Sequence, residues 1–363
     1  MAIKILVISD YRETVTVRSE AEIFIALQKS GYEVSIMTYP ESQYIQRFRE
    51  AGIKVIEYHP TKKLSRKDVS IIKDEIVNGN YDILHLFNSP SMPNGIMAAY
   101  GTKVKVILYR GYTGNIHWYD PFMYIKYLSP RVDKIVCLVE AIRQLFLKNF
   151  VSERKLITIN KGHDLAWYEG IEPDALAELH IPPDALKLVC AANMRPMKGV
   201  KYLLKATHYL PADANIHLLL LGRDMDAPEF KKLIDESPIK NNIHQLGYRK
   251  DVLNVVKACD VFVLASIKGE AITKAVIEAM SLGVAPLITD IPGNVDLVIN
   301  EKCGLVVPSK NPQALAEAIL KYDQQRQLVK IYGEAAKEHI KNRLNIKDTI
   351  AQFQQMYDEL LNA

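Results

Sequence analysis

The sequence predicts an α/β protein built from two doubly wound parallel-sheet domains that face one another across a cleft. Three observations carry this. The chain has 363 residues, and at roughly 100 to 200 residues per domain that length suggests two compact units, each with its own core. Short Val/Ile/Leu runs alternate with stretches of helical period, the pattern of βα units in a parallel sheet. The alternation stops at residues 171–183, IEPDALAELHIPP, where three prolines and no strand signal read as an exposed connector, and then it restarts.

In chain order, the first half offers strands at residues 3–9, 33–38, 53–57, 82–87, 104–110, 133–138 and 156–159. Between them, residues 21–29 form an amphipathic stretch ended by Gly31, and residues 139–149 form another. Beyond the connector the strands fall at 188–192, 216–221, 242–246, 261–265, 285–289 and 304–307. The tail differs. Ile346, Ile350, Phe353, Tyr357 and Leu360 follow a 4, 3, 4, 3 spacing that gives one helix a single apolar stripe, which must dock on something. The domains are therefore 1–170 and 188–344, with 171–187 as linker and 345–363 as the terminal helix. Doubly wound sheets bind ligands beyond the carboxyl ends of their strands, so the site is expected between the two Rossmann-like units.

Composition excludes several classes. Apolar residues at 48% and charged ones at 24% are ordinary for a globular protein. No apolar run reaches the roughly 18 to 20 residues that span a bilayer. The apolar start meets Asp10, Arg12 and Glu13 too soon for a signal-peptide core, so a cytoplasmic location is expected. Cys137, Cys190, Cys259 and Cys303 form no C-x-x-C pair and read as packing residues. Residues 1–165 carry 23 lysines and arginines against 17 acids, whereas the remainder carry 23 against 25. That surplus is weak for nucleic acid, and no nucleic-acid-binding signature accompanies it. An anionic membrane surface or a phosphate-bearing substrate fits better, giving possible peripheral contact with the inner face of a membrane. The basic run is Lys62, Lys63, Arg66 and Lys67, supported by Arg143, Lys148, Arg154 and Lys155 among Leu145, Phe146 and Phe150.

Two segments carry chemistry. In AANMRPMKGVKYLLKA, Arg195 and Lys198 follow a strand and open a helix, where backbone N–H groups already favour an anion. Two cations there would grip a diphosphate, although a solvated helix start carries the same residues. In VFVLASIKGEAITKAVIEAMSLGVAPLITD, Glu270 and Glu278 stand eight residues apart. Were all eight steps helical, about 12 Å would separate them, too far for a glycosidase pair at roughly 5 to 9.5 Å. They suit two clamps on one long ligand such as a nucleotide sugar; a capping or salt-bridging role for Glu278 fits the spacing as well.

The order of strand, R-P-M-K-G, helix, LLLLGR, LGYRKDV, then E-x7-E followed by AMSLG and P-L-I-T resembles the nucleotide-binding domain of the family 4 glycosyltransferases, retaining enzymes of GT-B fold. The likeness is close over residues 188–308 and looser elsewhere, including a terminal helix that in such folds crosses back to the first, acceptor-side domain. It implies that Glu278 holds ribose hydroxyls, Glu270 the sugar hydroxyls, and Arg195 with Lys198 the diphosphate. It also puts Tyr248 near the base, Gly199 where the helix start approaches the phosphates, and Thr273 in the sugar pocket. In the loop YRGYTGNIHWYD, it makes Arg110 and His117 candidates beside the reacting carbon; a packing role is the other reading of His117.

The chain departs from the family pattern in three places. No Gly-Gly pair follows the first strand, where Arg18 offers a charged contact instead. Asn193 stands where the family has an arginine five before the lysine, with Arg195 three before. Ala271 and Thr273 replace glycines after Glu270. The resemblance implies a retaining transferase with no cofactor, whose cations take the role a metal plays elsewhere. Asp224 and Asp226 have the spacing of a metal pair but sit in a loop on the helix side. The donor is UDP-, GDP- or ADP-linked, and the acceptor a saccharide or lipid-linked intermediate of cell-envelope or exopolysaccharide synthesis. A sugar-nucleotide epimerase of the same fold and a non-catalytic nucleotide-sugar-binding protein are the alternatives.

Overall fold

The computed structural model describes residues 2–114, 116–193, 195–225, 227–268, 272–295 and 297–362, with the backbone alone for 14–16. It divides into two units, residues 1–163 with 344–363, and residues 164–343.

The first unit contains strands β1 (Lys4–Ile8), β2 (Glu33–Thr38), β3 (Lys54–Glu57), β4 (Ile83–Leu86), β5 (Lys105–Arg110), β6 (Lys134–Cys137) and β7 (Leu156–Thr158). They form one parallel sheet in the order β3-β2-β1-β4-β5-β6-β7. Its helices are α1 (Thr14–Lys29), α2 (Ile45–Glu50), α3 (Arg66–Gly79), α4 (Ser91–Ala98), α5 (Pro121–Ile125) and α6 (Glu140–Lys148). The second unit contains β8 (Leu186–Ala191), β9 (Ile216–Leu221), β10 (Ile243–Gly247), β11 (Val261–Leu264), β12 (Ala285–Thr289) and β13 (Leu305–Val307). Their order, β10-β9-β8-β11-β12-β13, is the dinucleotide-binding arrangement that reverses direction between β8 and β11. Between them run α7 (Val200–Thr207), α8 (Pro228–Asp235), α9 (Val252–Lys257) and α10 (Lys274–Ser281), followed by α11 (Pro312–Gln324) and α12 (Gln327–Arg343). The tail helix α13 (Ile346–Asn362) belongs to the first unit.

The apolar runs become strands because a parallel sheet is covered on both faces, so every position of β4, β9, β11 and β12 is buried. The stripe on α13 docks as its spacing demands: Phe353, Tyr357 and Leu360 are buried, and α13 packs on α1. Tyr357 reaches His85 of β4, its hydroxyl 2.9 Å from Nδ1. Burial drives that histidine down to about 3, so it stays neutral within a cage that includes Phe24, Phe87 and Phe353. All four cysteines are buried, and their burial pushes the Cys137 and Cys190 thiols up to about 12.

The proline-rich stretch is mostly exposed and is tied to the second unit at a few points. Leu176 is buried, Asp174 pairs with Arg249 at 2.6 Å, and Asn254 donates to the Glu172 carbonyl at 2.7 Å. Hydrophobic patterning misses such anchoring because it runs through ion pairs and backbone carbonyls.

Candidate active site

In the second unit a pocket of about 220 Å³ opens at the carboxyl ends of β8, β9 and β10, beside the β8–β11 switch point. Ala191 to Asn193, Leu221 and Gly222 form its floor; α9 and the first turns of α10 supply the walls. Gly222 follows β9 at φ +143, and a Cβ there would fall inside the Ala192 carbonyl. The glycine thus lets two loops meet at the floor.

Glu278 projects into this pocket from α10, with its side chain only 13% exposed. One carboxylate oxygen pairs with Lys274 one turn earlier, which fixes the rotamer and offsets the charge. Tyr248, on the loop after β10, lines the same space. Its ring is 61% exposed, and Arg223 lies over it at 5.1 Å. The Arg223 amide donates to the Asn193 side chain at 3.3 Å. Sequence reasoning missed Arg249, another lining residue. Its guanidinium bridges Asp174 and Asp251, so it braces the loop that presents Tyr248.

Arg195 and Lys198 sit a step earlier than expected. Pro196–Lys198 form a single 3₁₀ turn, Gly199 follows at φ +66, and α7 opens only at Val200. Proline favours the tight turn, and Gly199 is required next because a Cβ would strike the Ala265 carbonyl. The loop is tied to the segment after β11 by the Ile267 amide, which donates to the Met197 carbonyl at 2.8 Å. Arg195 is exposed and Lys198 half-buried, and neither lines the pocket that holds Glu278 and Tyr248. Thr273 stands at the start of α10 in a buried position, and its hydroxyl donates to Asn294 at 3.3 Å instead of capping the helix. Glu270 lies outside the described residues, as does Asp226 of the Asp224 pair. Among the described residues no cluster of three metal-binding side chains occurs.

In the first unit Arg110 is 4% exposed and spends its donors locally. Nε reaches the Tyr112 carbonyl at 2.9 Å, one terminal nitrogen the Tyr127 hydroxyl at 3.1 Å, and the other the Gly114 carbonyl. It shapes the loop after β5. His117, farther along that loop, is exposed and stacks on Tyr119 with centroids 5.1 Å apart.

Two first-unit groups escaped sequence reasoning. Asp10, Tyr39, His59 and Asn88 stand at the carboxyl ends of β1, β2, β3 and β4. Arg12 pairs with Asp10 at 2.6 Å and lies over Tyr39, which stacks on His59 at 4.2 Å; His59 Nε2 is 3.0 Å from Asn88. Glu20, on α1, lines a small cavity with Tyr109, Asn160 and Lys161. Burial holds its carboxyl above the ordinary glutamate range, opposed by the Ser9 and Tyr11 hydroxyls and by Lys161.

A carboxyl raised on folding stabilises the protein fully below its unfolded pKa, and that contribution is lost as pH rises through the folded value. Glu20→Gln imitates the neutral form at every pH. Its melting temperature is expected to exceed that of the parent at pH 7 to 8 and to converge with it near pH 4. Calorimetric melts across that range test this, and a variant less stable at pH 8 contradicts it.

The two parallel-sheet units, with a ligand-sized pocket at the switch point of the second, define a GT-B α/β protein. Residues 172–339 match the family model described as glycosyl transferases group 1. Over that stretch the second unit is similar to the group 1 glycosyltransferases. A Campylobacter jejuni relative, N,N'-diacetylbacillosaminyl-diphospho-undecaprenol alpha-1,3-N-acetylgalactosaminyltransferase, is 27% identical over 93% of this chain and 90% of its own length. A glycosyltransferase of Methanocaldococcus jannaschii is 27% identical over 65% of this chain, which spans about three fifths, 61%, of that protein. Among solved structures, a Rickettsia africae glycosyltransferase superposes with a TM-score of 0.85 at 21% identity over 99% of both chains. Anabaena HepE in complex with UDP gives 0.81 at 16% identity, covering 99% of this chain and 100% of that one.

Proposed function

We propose that the protein transfers a sugar, with retention and without a metal ion, from a nucleoside-diphosphate donor to a lipid-linked saccharide acceptor at the cell envelope. The observation that carries this reading is the second-unit pocket, where Glu278 offers a carboxylate to vicinal hydroxyls and Tyr248 a ring face to a base. Arg195 and Lys198 lie on the neighbouring turn, suited to a diphosphate. As the anomeric C–O bond breaks, negative charge develops on the departing phosphate, and fixed cations stabilise it without a metal. In this reading the acceptor hydroxyl attacks from the same face and passes its proton to that phosphate, so no enzyme nucleophile is needed. The relatives support the chemistry: the Campylobacter enzyme's name specifies a diphospho-undecaprenol acceptor, and the Anabaena protein was solved with UDP. The first unit's cluster of Asp10, Arg12 and His59 is the proposed acceptor side.

The test is a panel of UDP-, GDP- and ADP-sugars assayed for released nucleoside diphosphate, with and without lipid-linked acceptors. Turnover is expected to require an acceptor and to persist in excess EDTA. Loss in EDTA with recovery on adding magnesium overturns the metal-free mechanism; donor consumption without acceptor, giving an isomerised sugar, favours an epimerase.

A further inference from the structure

The loop that Arg110 shapes leads into a chain of exposed aromatic side chains that neither unit's core uses. Trp118 is 51% exposed, Tyr119 66%, Phe122 36% and Tyr124 58%. Trp118 packs edge-on to Phe150 at 6.3 Å, and its amide donates to the Asn149 side chain at 2.8 Å, which ties the loop to the end of α6.

Phe150 is the informative residue. It occupies the left-handed position of a Schellman ending to α6, with its amide donating to the Leu147 carbonyl and the Val151 amide to the Phe146 carbonyl. Its φ is +64, a conformation that glycine adopts freely and a bulky residue does not. Yet the side chain is 74% exposed, so packing does not repay that backbone cost. An aromatic held outward at a glycine position is consistent with selection for contact with something outside the chain.

Charge identifies the occupant. Lys63 and Lys126 both lie over the Phe122 ring, at 5.1 and 5.6 Å, and exposed Lys62 and Leu64 flank Lys63. Asp120 is the single acid between residues 111 and 132, and its carboxylate is turned onto the Phe122 amide as the cap of α5. Aromatic rings interleaved with lysines match the interface of a bilayer, where rings sit at headgroup depth and ammonium groups meet anionic lipid.

The structure differs from the sequence expectation at the other end of the basic region. Phe146 is fully buried, and Arg143 is paired with Glu140 and Glu153, so neither is presented outward.

We propose that Trp118, Tyr119, Phe122 and Phe150, with Lys62 and Lys63, form the surface through which this protein docks on an anionic bilayer. The inference adds a membrane-facing surface to the reading of a lipid-linked acceptor, and its test needs no turnover. The full chain is expected to float with phosphatidylcholine vesicles containing phosphatidylglycerol at low salt, and Trp118 emission to shift to the blue. Pure phosphatidylcholine, or 0.5 M salt, should release it.

At roughly a fivefold loss per lysine near an anionic surface, Lys62→Glu with Lys63→Glu should cut partitioning at least tenfold. Phe150→Gly separates docking from folding, because it relieves the backbone and should raise the melting temperature while it weakens vesicle binding. Absence of flotation at low salt overturns the proposal, as does unchanged binding by Phe150→Gly. A blue shift produced by soluble oligosaccharide but not by vesicles assigns the rings to a sugar instead. Failure of docking with intact acceptor-dependent turnover leaves the transferase reading standing, whereas docking without turnover does the reverse.

Discussion

Replacing Lys198 by alanine is expected to lower kcat by about two to three orders of magnitude while the affinity for unreacted donor changes only a few-fold. The reason lies in when the charge is needed. In the proposed complex the diphosphate is already anionic before reaction, and the pocket and turn would share its contacts. In the transition state additional charge moves onto the leaving oxygen, and only a fixed cation beside it meets that increment. Lys198 is the better placed of the two candidates. It is half-buried on the 3₁₀ turn, close enough to the buried Cys190 thiol for its charge to pull against that thiol's raised pKa. Arg195 is exposed, so solvent screens it more, and Arg195→Ala should cost less in kcat. Single-turnover rates at saturating donor, with donor Kd measured on the same proteins, separate the two effects. A raised KM with unchanged kcat contradicts the leaving-group role.

The fold was legible because its signals are local. Central parallel strands covered on both faces must be apolar along their length, so those runs could be read directly from sequence, and the 4, 3 spacing of Ile346 to Leu360 marked α13. The site was legible in part. Glu278, on helix α10, and Tyr248, on the loop after β10, line one pocket, as the family pattern led one to expect. What escaped depends on long-range polar geometry. No pattern joins Arg249 to Asp174, 75 residues away, or sets His59 beside Asn88, because each pair meets only when strand ends align. Phe150 was legible as an aromatic among basic residues but not as a strained one, since its φ is set by the Schellman ending of α6. Phe146, four residues earlier, carries the same apolar signal and faces inward.

Glu278 and Glu270 are expected to fail in different ways, because each is proposed to hold a different part of the donor. Ribose hydroxyls lie far from the reacting carbon and are bound alike before and during reaction. Glu278→Gln should therefore weaken nucleoside diphosphate itself, by roughly ten- to a hundredfold at about 1.5 to 3 kcal/mol for a charged hydrogen bond. The structure sharpens this expectation. Lys274 already holds one oxygen of Glu278, so the carboxylate offers its other oxygen in a fixed rotamer. Lys274→Met should then weaken nucleotide binding by a smaller factor, by freeing that rotamer rather than by removing a contact. Glu270, proposed to hold the sugar, should behave oppositely: Glu270→Gln leaves free-nucleotide affinity nearly intact and cuts turnover of the nucleotide sugar by a similar ten- to a hundredfold. Calorimetry with the nucleoside diphosphate, beside turnover measured on the same preparations, decides between them. Should Glu270→Gln lose nucleotide affinity while Glu278→Gln keeps it, the donor lies in the opposite orientation; should neither change binding or rate, the motif does not hold a nucleotide sugar at all.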